Sequence, residues 1–197
     1  MILNAIRKFD LIGRFYASNL GKKWIANKLQ SVVPHLKSHE KTIDIGAGNG
    51  MITQTLRQQN YPTTAMDVAD LSIIPEVSVV VYDGLNMPFE AQAFDTALLL
   101  TVLHHTPDPL PVLQETARIA KKIVIIEDVY SNKIQQYMTY AMDTLVNLGH
   151  SSMTYQNKSD KEWKATFEQL NLKLVAESSK SVLFFFRQAT YVLETTN

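Results

Sequence analysis

Residues 41–50 read Lys-Thr-Ile-Asp-Ile-Gly-Ala-Gly-Asn-Gly. Ile43 and Ile45 alternate around Asp44, as in a strand, and three glycines then fall at every second position. From Met51 onward the apolar residues recur at helical intervals. The pattern predicts a strand, a tight turn and a helix. Because glycine reaches a positive φ and has no Cβ, a flat or anionic ligand can lie on such a turn, and we expect the rim of a nucleotide-type site here.

The spacing of the glycines distinguishes two kinds of nucleotide site. A dinucleotide fold uses Gly-x-Gly-x-x-Gly, but here the third glycine comes one residue early and Met51 stands in its place. An acid in the strand followed by Gly-x-Gly-x-Gly resembles the first motif of the class I S-adenosylmethionine-dependent methyltransferases, in their small-molecule (type 11-like) branch. The resemblance covers residues 40–130. It implies S-adenosyl-L-methionine as cofactor, S-adenosyl-L-homocysteine as product, and a cofactor site that includes Asp44, Gly46, Ala47, Gly48 and Gly50.

The rest of the chain predicts alternating strands and helices. Strands are expected at 42–46, 62–67, 77–82, 96–100 and 122–126, with helices between them, the one near 71–75 being stunted. A capping box at Ser159 and Glu162 opens a late helix, and two final strands, 172–176 and 182–193, are expected to join around 178–181. The resemblance implies a Rossmann-like α/β three-layer sandwich, with a seven-stranded, mostly parallel sheet and a C-terminal antiparallel hairpin. We expect one domain, with a helical cap at 1–38 and a core at 39–197.

Further cofactor residues are expected at the ends of the strands. Asp67 lies 17 residues after Gly50, where adenosine-binding α/β folds place a carboxylate on the ribose hydroxyls; a helix cap or a surface acid is the alternative. In the family that the chain resembles, Asp83 and Gly84 match the positions that bind adenine, although Asp-Gly is also a common turn. The remaining candidates beside them are Val68, Leu85 and Thr101.

The methyl acceptor is expected where the fourth strand ends, because open α/β sheets bind ligands at that edge. His104 and His105 follow there, and a neutral imidazole can remove a proton as the methyl group arrives. His104 resembles the base of plant-type O-methyltransferases and is preferred to His105; a hydrogen-bonded wall is the alternative. No metal is expected, because adjacent histidines should point apart. Weaker substrate candidates are Glu127, which could instead cap a helix, and Tyr16, Tyr137 and Tyr155.

Residues 2–33 carry apolar side chains at helical intervals, with Gly13 and Gly21 as expected breaks between shorter helices. The prefix also carries the excess positive charge, since residues 1–41 hold eight basic side chains against two acidic ones. Lys22, Lys23 and Lys28 are expected mainly on its solvated face. We interpret the prefix as a cap over the mouth of the site, with plain packing or a membrane-surface or partner helix as alternatives.

Composition narrows the function. Basic and acidic residues both number 19, so from the overall charge we do not expect a nucleic-acid partner. The absence of cysteine removes a thiolate nucleophile and fits a cytoplasmic setting, and no apolar run is long enough to span a membrane. The resemblance implies an S-adenosylmethionine-dependent methyltransferase that acts on an O, N or C nucleophile of a small molecule, with an aromatic or lipid-like molecule as one candidate. The alternatives are a catalytically inactive cofactor-binding subunit, an RNA methyltransferase and a nucleotide-dependent oxidoreductase.

Overall fold

The computed structural model describes residues 19–130, 157–182 and 186–195. Within them, the helices are α1 (Asn19–Val32), α2 (Met51–Gln58), α3 (Pro109–Ile119) and α4 (Asp160–Gln169), and single 3-10 turns occur at Val33–His35 and Leu103–His105. The strands are β1 (Thr42–Ile45), β2 (Thr63–Asp67), β3 (Val79–Val81), β4 (Phe94–Leu100), β5 (Ala120–Val129), β6 (Leu172–Val182) and β7 (Phe186–Thr195).

The strands form one seven-stranded sheet in the order β3-β2-β1-β4-β5-β7-β6. The first five strands are parallel, and β7 is antiparallel to both β5 and β6. The predicted mixed sheet with a C-terminal antiparallel hairpin is therefore confirmed. Because the chain runs outward from β1 on one side through β2 and on the other through β4, a crevice opens at the carboxyl ends of β1 and β4.

Both faces of the sheet are buried, which explains the unbroken apolar run of β4. Side chains alternate along a strand, so Leu98 and Leu100 pack with α1 and α2, whereas Leu99 packs with α3 and α4 on the opposite face. On β5, Val124 and Ile125 divide between the same two clusters. Helices on both faces of the sheet give the three layers that the sequence predicts.

Three local predictions were wrong. Residues 178–181 do not form the hairpin turn but continue β6, where Ser178 pairs with Thr190 and Ser181 with Arg187. Polar side chains are compatible with a strand here because β6 is an edge strand with solvent access. No stunted helix forms at 71–75. Gly21 does not break the prefix, because it lies inside α1.

The remaining predictions on element ends are close to the structure. Ser159 and Glu162 form the reciprocal capping box at the start of α4. β5 is longer than expected and reaches Val129, so Glu127 is a strand residue. Tyr16, Tyr137 and Tyr155, with the helix predicted at 132–148, lie outside the described residues, and the division into cap and core stays a prediction. Among the described helices, none has the length and apolarity to cross a bilayer.

Candidate cofactor and methyl-transfer site

The glycine turn after β1 combines close packing with an open surface. Gly46 has φ of 76°, and a Cβ there would lie 2.5 Å from Cγ2 of Val102, so no larger residue fits. Gly48 also has a positive φ, 52°, but a Cβ on it would meet nothing within 4 Å. Gly46 therefore lets β1 pack against the segment after β4, whereas Gly48 presents bare backbone to open space, where a ligand can approach.

Asp67, at the end of β2, is bonded to the glycine turn. The backbone N–H of Gly48 donates to its Oδ2 at 2.7 Å, and the N–H of Val68 donates to its Oδ1 at 2.7 Å. Each carboxylate oxygen has a further lone pair, so the group can still accept hydrogen bonds from a ligand. The structure thus joins two predicted cofactor positions that lie 19 residues apart in the chain.

A cavity of about 420 Å³ opens at the carboxyl ends of β1, β2 and β4. Asp67 contributes a carboxylate to a lining that is otherwise largely apolar, and the nearby Val68 and Leu85 are 59% and 56% exposed. Burial and the neighbouring carboxylates raise the pKa of Tyr82, which also lines the cavity, to about 12. Six predicted cofactor residues are in the lining, namely Gly46, Asp67, Val68, Gly84, Leu85 and Thr101.

Sequence reasoning missed part of this lining. Tyr82 follows β3, and its place at the carboxyl end of a parallel strand is a signal that could have found it. The other missed residues follow β4 or begin α3, where Asp108 also caps the helix by accepting from the N–H of Leu110. These residues are Val102, Thr106, Pro107, Asp108, Pro111 and Val112.

Two predicted acids, Asp44 and Asp83, are not in the lining. Asp44 is buried beneath the turn, where Thr53 Oγ1 donates to its Oδ2 at 2.7 Å, and burial raises its pKa to about 6. Asp83 is exposed and accepts bonds from the backbone of Asn86 and Leu85, which lower its pKa to about 2. Asp83 thus shapes the loop after β3, whereas Asp44 bonds β1 to α2. Their cofactor roles stay predictions, as do those of Ala47 and Gly50.

The two adjacent histidines occupy different environments. His104 is 4% exposed, and its Nδ1 lies 2.5 Å from Oε2 of Glu127, which is fully buried. His105 is exposed and lines the cavity. Their ring centroids are 3.9 Å apart, so the expectation that the side chains point apart was wrong. The structure therefore places His105, and not the preferred His104, at the cavity.

Glu127 supports the segment that carries these histidines. Its Oε1 accepts from the N–H groups of Val102 and Leu103, at 3.0 and 2.8 Å, while Oε2 contacts His104. The sequence offered a substrate group or a helix cap as its role, and the structure places it in β5 beneath the site. In the part of the chain that the structure describes, no group of three or more His, Asp or Glu side chains is arranged to hold a metal ion.

Lys28 of α1 is the clearest departure from expectation, because it is not on a solvated face. It is 3% exposed, and its Nζ donates to the carbonyl of Leu100 at 3.2 Å and to Thr101 Oγ1 at 2.6 Å. Burial lowers its pKa to about 8. The helical spacing could have predicted the burial of Lys28, since it falls in the same stripe as the buried Ile25 and Leu29.

Known proteins are similar to this chain in sequence. A family model described as "Methyltransferase domain" matches residues 43–126. The chain is 26% identical over 174 residues to a demethylmenaquinone methyltransferase of Corynebacterium kroppenstedtii, covering 80% of this chain and 75% of that protein. It is 28% identical over 93 residues to a ubiquinone biosynthesis O-methyltransferase of Stutzerimonas stutzeri, covering 42% of this chain and 40% of that protein.

Solved structures agree on the fold. A SAM-dependent methyltransferase of Methanosarcina mazei superimposes with a TM-score of 0.68 at 16% identity, covering 84% of this chain and 97% of that one. Another from Aquifex aeolicus gives a TM-score of 0.59 at 16% identity, covering 83% and 88%. The sheet order and glycine turn define the class I S-adenosylmethionine-dependent methyltransferases. Together with the family-model match and the relatives, they support S-adenosylmethionine-dependent methyltransferase activity for this chain, with S-adenosyl-L-methionine as its cofactor.

Proposed function

We propose that S-adenosyl-L-methionine lies across the cavity beside the glycine turn, with Asp67 accepting from its ribose hydroxyls and Gly84 and Leu85 next to its adenine. The observation that carries this assignment is the Asp67 carboxylate, held 2.7 Å from the N–H of Gly48, whose Cβ position is open space. A flat base can lie against the apolar part of this lining, and a ribose diol can bond to Asp67 beside the open backbone of Gly48. The residues present therefore fit the cofactor. Its sulfonium supplies a methyl group already activated for transfer.

The protein's own tasks are then to align the acceptor, exclude water and receive a proton. His105 faces the cavity and is the residue we assign as general base. His104 and Glu127 hold the segment that carries it, so we assign them as positioning residues.

For the acceptor, we propose an aromatic, quinol-type small molecule. Support comes from two relatives, one a demethylmenaquinone methyltransferase and the other an O-methyltransferase of ubiquinone biosynthesis. A hydroxyl on such a ring releases a proton when the oxygen or an adjacent carbon is methylated, which gives a general base its use. A cytoplasmic location is part of this proposal.

Calorimetric titration of the protein and of an Asp67→Ala variant tests the cofactor site. Wild type should bind S-adenosylmethionine and S-adenosylhomocysteine and not NADH. Asp67→Ala should weaken both by about tenfold or more, because a charge-assisted hydrogen bond is lost together with an anchor of the turn.

Asp70→Ala is the matched control, since Asp70 is an exposed acid three residues away that accepts from the N–H of Ser72 and is not in the lining. It should bind like wild type. Unchanged affinity in Asp67→Ala, or binding of NADH alone, would contradict the proposed site. Mass spectrometry of demethylmenaquinol and phenolic quinol precursors incubated with enzyme and cofactor then tests the acceptor class, and the absence of a methylated product from every ring would refute it.

A further inference from the structure

A lysine of the first described helix reaches the strand end where the cavity begins. Nζ of Lys28 bonds to the carbonyl of Leu100, the last residue of β4, and to the hydroxyl of Thr101, the first residue beyond it. These residues lie 72 and 73 positions away in the chain. The third side of the ammonium faces the ring of Trp24, whose centroid is 4.1 Å from Nζ. An ammonium has three donors, and a single side chain here bridges α1 and the rim of the site.

The residue that Lys28 contacts has a strained backbone. Thr101 has φ of 63°, in the left-handed region, which is rare for a β-branched residue and costs about 1–3 kcal/mol. Such a conformation persists only when its surroundings determine it. The N–H of Thr101 donates to the carbonyl of Ile126 at 2.7 Å, and its Oγ1 accepts from Lys28, so the residue is held from β5 and from α1.

The strained turn sets the position of two cavity walls. Immediately after Thr101, the side chain of Val102 lies against Gly46, where a Cβ would be 2.5 Å away. His105, three residues further, is also in the lining, as are Thr101 and Val102 themselves. A displacement of the turn at Thr101 would therefore move two cavity walls together, Val102, which lies against Gly46, and His105.

We propose that Lys28 is a positioning residue of this methyltransferase: by bonding Leu100 and Thr101, it holds the left-handed turn after β4 and thereby fixes the walls of the cofactor cavity. The inference rests on the proposed function, in which that cavity binds the cofactor. It also gives α1 a role besides covering the sheet, because one buried cation couples the helix to the site.

The groups around Lys28 have two opposite effects on its protonation. Nearby carboxylates stabilise the ammonium, whereas burial favours loss of its proton. Asp128 and Glu127 on β5 and Asp44 on β1 attract Lys28, whereas Lys180 on β6 opposes its charge. Desolvation outweighs these attractions and brings the pKa of Lys28 to about 8. Hydrogen bonds from an ammonium are about twice as strong as those from a neutral amine, so the turn should be held less firmly at alkaline pH.

Calorimetry with two ligands tests the proposal in Lys28→Met. S-adenosylhomocysteine fills the whole proposed site, and 5′-methylthioadenosine lacks the amino-acid part. Lys28→Met should weaken both ligands by about tenfold, because the turn shapes the cavity wall for either. Loss of affinity for S-adenosylhomocysteine alone would overturn the proposal in favour of direct contact with the amino-acid part. Lys23→Met, at an exposed lysine of the same helix, is the matched control and should bind like wild type.

The pH dependence of ligand binding tests the charge of Lys28, because a side chain that acts only by packing would not make binding depend on pH. Binding of 5′-methylthioadenosine to wild type should weaken several-fold between about pH 7 and pH 10, whereas the profile of Lys28→Met should be flat there. The thioether ligand lacks the α-amino group of the amino-acid part, and its adenine does not titrate between about pH 7 and pH 10, so its own titration does not interfere. A flat wild-type profile would overturn the proposal.

A double-mutant cycle locates the effect at Thr101. If Lys28 acts through the hydroxyl of Thr101, Thr101→Val should weaken ligand binding. Adding Lys28→Met to Thr101→Val should then weaken binding much less than Lys28→Met does in the wild-type background. Full additivity would overturn the proposal. Should Lys28→Met fail to fold, the wild-type pH profile and Thr101→Val still decide the question. Failure of the proposed function is distinguishable, because wild type itself would then bind neither ligand.

Discussion

At the scale of single residues, the acids at the rim of the sheet hold loops in place. Asp67 accepts from two backbone N–H groups, Asp83 accepts from two, and Glu127 accepts from two. Irregular segments at this rim use such acceptors because their amides have no strand or helix partner. An acid at this rim that is predicted to bind a ligand, such as Asp67, therefore also determines the shape of the ligand's cavity.

Asp44 is an exception among these acids, because its buried position opposes the negative charge of its carboxylate. It is 2% exposed, and its raised pKa of about 6, against 3.8 ordinarily, means that burial disfavours the carboxylate. A group whose pKa is raised on folding contributes stability at a pH below the unfolded pKa, and this contribution is lost as pH rises through the folded pKa. Carrying this charge at neutral pH therefore costs stability, as is typical of functional positions.

Asp44→Asn tests this cost. The asparagine keeps an oxygen that can accept from Thr53, so the ligand-free variant should be more stable than wild type at about pH 7, by an amount on the order of 1–3 kcal/mol. The difference should appear between about pH 4 and pH 6 and vanish below pH 4, where both side chains are neutral. Denaturant unfolding across this range measures it. A variant less stable than wild type at neutral pH would show that the charge is compensated in the free protein.

At the scale of elements, the segment after β4 carries site residues and is held in position by other elements. It is a single 3-10 turn, Leu103–His105, with few bonds of its own, so its position depends on other elements. Glu127 on β5 holds its amides, and Lys28 on α1 holds the residue before it. Function is thus placed on an irregular segment that rigid elements position.

The two histidines of this turn should respond differently to substitution. His104→Ala removes a buried partner of Glu127 and should lower the free energy of unfolding by about 3 kcal/mol. His105→Ala, at an exposed position, should change stability by less than about 0.5 kcal/mol but lower turnover by at least about tenfold, which is more than it weakens cofactor binding. Denaturant unfolding, calorimetry and the methylation assay separate these effects. Wild-type turnover in His105→Ala would exclude it as the base.

At the scale of the whole molecule, the cavity lies where two halves of the sheet diverge. β1 carries the glycine turn, β2 carries Asp67, and β4 with β5 carries the histidine segment. The antiparallel β7 covers the outer edge of β5, with Tyr191 and Leu193 buried against the core. The site is therefore assembled from strands that meet only when the complete parallel sheet has formed.

Cofactor binding should consequently stabilise the entire fold. A ligand that binds only the native state adds about 2.7 kcal/mol at a concentration one hundred times its Kd, which corresponds to a rise in Tm of about 5–10 °C for a chain of this size. Thermal unfolding with S-adenosylhomocysteine checks this expectation. NADH should give no shift, and Asp67→Ala should need a correspondingly higher ligand concentration. A ligand-independent Tm in wild type would contradict the cofactor site.

The sequence by itself determined the features that depend on local pattern. The strand, glycine turn and helix of residues 42–58, the succession of the strands along the chain, and the existence of a terminal hairpin all follow from periodicity and turn chemistry, or from the family that those motifs resemble. Asp67 was also found in this way, because its position at the end of a strand is set by the same pattern. Each of these depends on residues that are close together in the chain.

Only the tertiary structure decided which side chains reach the cavity. Period and spacing treat His104 and His105 alike, but Glu127, 23 residues away, holds the first below the site and leaves the second in the lining. Likewise, Lys28 was expected in solvent, yet its partners lie 72 and 73 residues away. Burial and bonding of a polar group depend on neighbours brought by other strands and helices, and local sequence carries no information about where those neighbours lie.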